Sequence, residues 1–241
     1  MHPRDALPGW QSGTVASPNL PARQGISSLR HAHNPQVIGG SRLRVTRCFA
    51  FPGHGYAQGG GAAAAADEAR VLGKAATEIA RVTGKRIEVS GGSTPTVAAM
   101  TADPLTEAPP GVYVFNDAQQ VELGTATFDD VALWCVARVV GRSEGKAVLD
   151  SGSKALGADR AAYSSGFGRL LDFPAATIVK LSEHHAVAEL PDGCDLALGD
   201  LVRVVPNHVC NAVNLHDVLH PLVDGRWGQG WRVEPRSGVA R

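Results

Sequence analysis

A chain of 241 residues with 23 basic and 23 acidic side chains has room for one large domain or two small ones, and carries no net charge at pH 7. That balance offers nothing to a polyanion, so neither nucleic acid nor an acidic membrane surface is an expected partner. No apolar run reaches the length of a membrane span and no charged-then-apolar leader opens the chain. The four cysteines, Cys48, Cys135, Cys194 and Cys210, lack the spacing of a disulfide framework, so a cytoplasmic protein with reduced thiols is the expectation.

Residues 1–47 scatter Pro, Gly, Ser, His and Arg without helical or strand periodicity and are expected to form an irregular or disordered leader. Arg47-Cys48-Phe49-Ala50-Phe51 reads as a short buried strand that ends in a loop, Pro52-Gly53-His54-Gly55-Tyr56. Loops at the C-terminal ends of strands carry the chemistry of α/β barrels, and His54 here is a weak candidate, since a loop histidine is more often only solvated. Gly59-Gly60-Gly61 then leads into a predicted amphipathic helix over 62–82. There Val71, Ala75, Ile79 and Val82 recur at three- and four-residue steps, and Gly84 marks the stop.

Ile87-Glu88-Val89 is a predicted strand, followed at once by Ser90-Gly91-Gly92-Ser93-Thr94-Pro95-Thr96 and a helical Val97–Met100. Strand, glycine-rich turn and helix start is a phosphate-binding arrangement, in which amides point outward and the helix dipole favours an anion. Gly-Gly-Ser-Thr-Pro also makes an ordinary βα loop, and both readings stand. Pro110-Gly111 turns the chain into an apolar strand, Val112-Tyr113-Val114-Phe115, that ends at Asn116-Asp117; Tyr113 packs either in a core or beside a ligand.

From about Val131 the character changes. Val131–Val140, Lys146–Asp150, Ala175–Leu181, Ala186–Leu190 and Leu201–Val205 are strand-like and separated by short polar turns, as in an antiparallel β domain. Val218–Trp227, with Asp224-Gly225 inside it, reads as a hairpin, and Gly230–Val233 as a strand closing the sheet. The expected organisation is therefore a leader over 1–47, an α/β part over 48–127 and a β domain over 128–241.

Inside the β domain, His208 and Cys210 stand two apart in Val205-Pro206-Asn207-His208-Val209-Cys210. An extended backbone would send both side chains from one face. An imidazole and a thiolate so placed can grip one borderline metal, zinc first, and two ligands leave coordination positions open as in catalytic sites. The spacing alone is weak, since a small buried cysteine beside a turn histidine needs no metal.

Pro206-Asn207-His208-Val209-Cys210 followed by Val213-Asn214-Leu215-His216-Asp217 closely resembles the C-terminal signature of the D-serine dehydratase and D-threonine aldolase family. The resemblance extends through Leu181-Ser182-Glu183-His184-His185, Val148–Leu156, Pro110–Asp117 and Ser90–Thr96, and back to Pro52–Tyr56, all in family order. These are pyridoxal-phosphate enzymes with an alanine-racemase-like (β/α)8 barrel and a C-terminal β domain. The resemblance implies an α/β plus β fold, in which the C-terminal part of that barrel precedes an antiparallel β domain. It also implies that Gly92, Ser93 and Thr94 cradle the cofactor phosphate, that Tyr56 lies in the active site against the cofactor, and that His208 and Cys210 hold zinc. The substrate would be a small D-hydroxyamino acid and the assembly a homodimer. Cysteine at 210 resembles the dehydratase branch, where aldolases more often show His-x-Asp.

The family's Schiff-base lysine lies near its N-terminus, whereas residues 1–73 here contain no lysine and Lys154 falls in a β-domain motif. The sequence reading therefore expects an incomplete chain, inactive alone and with unpaired barrel edges. A non-catalytic zinc-binding β module and an aldolase-type C–C lyase are the alternatives.

Overall fold

The predicted helix over 62–82 is α1 (Gly61–Thr83), the longest element of the computed structural model, which describes residues 45–234. The leader reading of residues 1–47 lies almost wholly outside the described residues. On α1, Ala64, Ala65, Glu68, Leu72, Ala75 and Ile79 form the buried stripe, and Gly84 ends the helix in the left-handed region (φ 66°) with its N–H on Ala80 O. The helix joins two parallel strands, β1 (Arg47–Phe49) and β2 (Glu88–Ser90), into a β-α-β unit. A single parallel bridge, Ser90 to Glu107, extends this small sheet.

Two expectations in this region are corrected. Val97–Met100 forms no α-helix, only a 3-10 turn at Val97–Ala99, because Val97, Ala98 and Ala99 are all exposed and offer no apolar face to bury. Val112–Phe115 is likewise a 3-10 turn (Val112–Val114) and not a strand; only Val112 is buried, and the Tyr113 N–H is taken by the Thr94 hydroxyl at 3.0 Å.

The chain divides into two compact units between Tyr113 and Val114, earlier than the change of character near residue 128. In the second unit, α2 (Ala118–Leu123) packs Ala118 with Val131 and Val205, so the residues before the first β-domain strand belong with that domain. Six antiparallel strands close a barrel in the order β3-β4-β7-β6-β5-β8. They are β3 (Cys135–Ser143), β4 (Lys146–Leu149), β5 (Gly168–Leu170), β6 (Phe173–Leu181), β7 (Ala186–Glu189) and β8 (Leu201–Pro206). Period-two alternation sends Ala137 and Val139, Ala147 and Leu149, Ala176 and Ile178, Ala186 and Ala188, and Val202 and Val204 into one core. The many alanines fit the narrow interior of a six-stranded barrel.

Two short helices decorate it, α3 (Ser153–Leu156) and α4 (Val209–Val213). Beyond them, β9 (Val218–Leu219) is followed by a hairpin of β10 (Leu222–Val223) and β11 (Arg226–Trp227). Asp224 (φ 49°) and Gly225 (φ 73°) form its turn, as their sequence suggests. The final strand, β12 (Trp231–Arg232), does not close the barrel. It pairs antiparallel with β9 in a separate ribbon, since β3 and β8 already satisfy each other's edges.

Candidate functional site

In the β-α-β unit the structure brings the Tyr56 loop against the glycine loop. Gly55, buried inside the 3-10 turn Gly53–Tyr56, lies so close to the next loop that a Cβ there would meet Thr96 Cγ2 at 2.9 Å and Ser93 Oγ at 3.7 Å. Tyr56 is half-buried, with its ring 6.0 Å from that of Phe51. His54 instead sits at the surface, 3.6 Å from Asp67 on α1. Gly91 through Thr96 are all buried, and Gly92 adopts φ 115°, where any side chain would be strained and would also strike Met100.

Two of the amides that the sequence reading offered to an anion are already engaged. Gly92 N–H donates to Glu68 Oε1 at 2.7 Å and Ser93 N–H to Thr96 Oγ1 at 2.8 Å. The three-residue 3-10 turn behind them has no macrodipole of consequence. What the loop keeps for a ligand is hydroxyl chemistry: Thr94 Oγ1 accepts from Tyr113 N–H and retains its own proton to give. Ser93 Oγ is bonded to Thr96 Oγ1 at 3.0 Å, so the Thr94 hydroxyl is the group of this loop best placed to meet the phosphate end of a cofactor. The lysines of this unit, Lys74 and Lys85, are exposed and lie on α1 and just after it, outside both loops.

His208 and Cys210 come together, though not by the route the spacing suggested. His208 is extended (φ −131°, ψ 105°) but is the N-cap of α4, and Cys210 sits in the first turn of that helix. The pairing therefore arises at a helix start and not along a strand. Cys210 is exposed and His208 is half-buried, with the thiol near enough to act on the imidazole electrostatically. Asp159, in the loop after α3, binds His208 Nδ1 through Oδ2. The neighbouring Cys210 side chain, joined by the Asp159 carboxylate, pushes the His208 imidazole up to about 9 against the opposing effect of burial. With Nδ1 held by a carboxylate, Nε2 is the ring atom left for a metal, and such a carboxylate commonly fixes the ring of a metal-binding histidine. An imidazole and an exposed thiol fit a borderline cation such as zinc. Among the described residues no group of three or more His, Cys, Asp or Glu side chains gathers into a metal cluster.

The other histidine of the signature serves the structure. His216 Nε2 lies 2.9 Å from Ala155 O and 3.8 Å from Cys135 Sγ. Burial pushes the Cys135 thiol up to about 12, so it remains protonated at neutral pH. Lys154 is paired with Glu183 at 2.7 Å.

The "Putative serine dehydratase domain" family matches residues 132–222, which span the barrel and the His208–Cys210 segment. An uncharacterized protein of Mycobacterium tuberculosis is 44% identical over 130 residues, covering 52% of this chain and 98% of that protein. The chain belongs to the serine dehydratase domain family. Within it, D-threo-3-hydroxyaspartate dehydratase of Delftia sp. is 35% identical over 141 residues, which are 51% of this chain and 37% of that enzyme. Its solved structure superposes with a TM-score of 0.72 at 28% identity, covering 83% of this chain and 59% of that one. D-threonine aldolase from Filomicrobium marinum superposes with a TM-score of 0.70 at 26% identity, covering 86% and 58%. The chain thus spans well under two thirds of these two enzymes. The Delftia dehydratase has also been solved as a cysteine-to-alanine variant in a metal-free form and as a histidine-to-alanine variant. Those two positions stand two residues apart, as His208 and Cys210 do here.

Three residues that hold the candidate site's loops and helix start escaped the sequence reading. Asp159 stands alone in Gly157-Ala158-Asp159-Arg160, with no motif to tie it to a histidine 49 positions on. Glu68 is hidden in a helix whose other charges are solvated. Asp117, placed by the sequence reading only at the end of a strand, is the N-cap of α2, and its side chain accepts from Gln120 N–H. Its second bond, to Val209 N–H 92 residues away, is set by the fold alone.

Proposed function

We propose that this chain carries the metal pair and the cofactor-phosphate loop of a pyridoxal-phosphate lyase that dehydrates a small D-hydroxyamino acid. The observation that carries the reading is the joined His208–Cys210 pair with Asp159 on Nδ1. A thiolate–imidazole pair with coordination positions to spare suits a Lewis-acid site better than a closed structural one. Zinc held there supplies polarisation of the substrate's β-hydroxyl, and pyridoxal phosphate supplies an electron sink for the α-carbon.

The chain's own residues have separate tasks. Asp159 fixes the tautomer and tilt of His208, so that Nε2 faces the cation. Cys210, exposed at the start of α4, gives up its proton when the cation binds. Thr94 and Ser93 present hydroxyls to the phosphate end of the cofactor, Gly92 shapes the loop, and Tyr56 stands beside it. The fold surrounding that loop is read as the final part of an alanine-racemase-like barrel, which the β-α-β unit and the likeness to the Delftia enzyme support. Cysteine at 210, matching the residue replaced in the metal-free dehydratase, favours dehydration over C–C cleavage.

Equilibrium dialysis against zinc tests the reading. The intact chain is expected to retain one equivalent, and His208→Ala and Cys210→Ala are each expected to abolish retention. Zinc retained undiminished by both variants would overturn it.

A further inference from the structure

We propose that Asp117 is a positioning residue for the metal pair: it caps α4 from outside, which releases His208, the residue in the N-cap position, to bind metal. This rests on the metal reading above. An N-cap side chain ordinarily accepts from the first N–H groups of its own helix, which have no partner within it. His208 makes no such bond; its ring is turned to Asp159. The first amide of the helix, on Val209, is buried and needs an acceptor.

Asp117 supplies that acceptor. Its Oδ2 accepts from Val209 N–H at 3.0 Å while Oδ1 accepts from Gln120 N–H at 2.9 Å, so one carboxylate, 1% exposed, clamps the starts of both α4 and α2. The peptide on the other side of His208 is held from the same helix. Asn207 O accepts from Gln119 N–H at 3.2 Å and from Gln119 Nε2 at 3.0 Å. The Asn207 side chain is itself fixed, donating to Gly166 O at 2.7 Å. His208 is therefore the one residue of Asn207–Val209 whose side chain is free for chemistry, because the backbone on both sides of it is anchored to α2.

Cobalt(II), added to the full chain, is the probe. Its thiolate-to-metal absorption band and visible bands report both affinity and coordination geometry. Asp117→Asn keeps the size of the side chain but replaces one of two acceptor oxygens with a donor facing an amide. It is expected to weaken cobalt binding about 10- to 100-fold and to alter the band positions. Gln119→Leu retains Asp117 and removes one of the two donors to Asn207 O; a several-fold loss is expected. A purely structural role would lower the thermal midpoint while leaving affinity and spectrum unchanged, and that result overturns the proposal. If Asp117→Asn does not fold, Gln119→Leu decides, and unchanged affinity there counts against the proposal. Absence of a thiolate band in the unsubstituted chain would sink the metal reading, and this inference with it.

Discussion

Glu68 shows how a single residue can govern a loop it does not belong to. It is 3% exposed, its Oε1 holds Gly92 N–H, and its Oε2 has no hydrogen-bond partner among the described residues. Burial pushes its carboxyl up, against the downward pull of the Gly92 amide. The folded value lies above the unfolded one, so the stability Glu68 contributes is complete below the unfolded value of about 4.3 and fades as the pH rises through the folded value. Glu68→Gln keeps an acceptor for Gly92 and removes the charge. Urea midpoints measured from pH 4 to pH 8 should therefore show the unsubstituted chain losing ground to that variant as pH rises. A constant difference across the range would mean that the carboxylate is well solvated. Glu68→Ala, which leaves the amide without an acceptor, is expected to cost about 1–3 kcal/mol near pH 4 and less as the pH rises.

At the scale of elements, the motifs shared with the family divide into chemistry and architecture. Asp150-Ser151-Gly152-Ser153-Lys154 and Leu181-Ser182-Glu183-His184-His185 are two such motifs far apart in sequence, and the structure explains why both are needed. Ser153 N–H donates to Ser182 O at 2.8 Å and Lys154 N–H to Glu183 O at 3.1 Å, so the start of α3 is capped by the turn after β6. A Cβ on Gly152 would fall 2.3 Å from Ser182 O, 2.5 Å from His185 N and 2.6 Å from Glu183 O. All three are backbone atoms that cannot step aside. Gly152→Ala should lower stability by about 3 kcal/mol in urea denaturation. A change under about 0.5 kcal/mol, the size of an ordinary surface substitution, would show that the turn relaxes freely.

The same scale explains what the sequence disclosed. The helix over 62–82 and five of the six barrel strands were legible because their apolar residues recur at 3.6 or at 2, which is the signature burial leaves on a helix or a strand. β5 was not, since Gly168-Arg169-Leu170 is too short to alternate. Its glycine (φ 147°) is needed where Val205 O comes within 2.6 Å of the Cβ position. Val112–Phe115 failed in the other direction: it is apolar enough for a strand, yet Tyr113 and Val114 are exposed and have no sheet to join. The His208–Cys210 pair was visible from its spacing, but for a mistaken reason, because a helix start and not an extended strand brings the two side chains together. Asp159 and the long-range bond of Asp117 were invisible because contacts across 49 and 92 residues leave no local pattern.

For the molecule as a whole, the account divides the work between two units. One carries a hydroxyl-bearing loop beside Tyr56; the other is a closed barrel whose exit from β8 carries His208 and Cys210, the pair proposed to hold a metal. The second unit is the part that the serine dehydratase domain family matches, and the part that makes the sharper chemical claim. That claim is that the pair holds a cation whose remaining positions respond to a β-hydroxyl. The most direct measurement is the absorption spectrum of the cobalt-loaded full chain, titrated with D-serine and, separately, with D-alanine, which lacks the hydroxyl. The account predicts a saturable shift of the visible bands with D-serine and none with D-alanine. Identical responses to the two, or no response to either from a chain that has bound cobalt through Cys210, would contradict it.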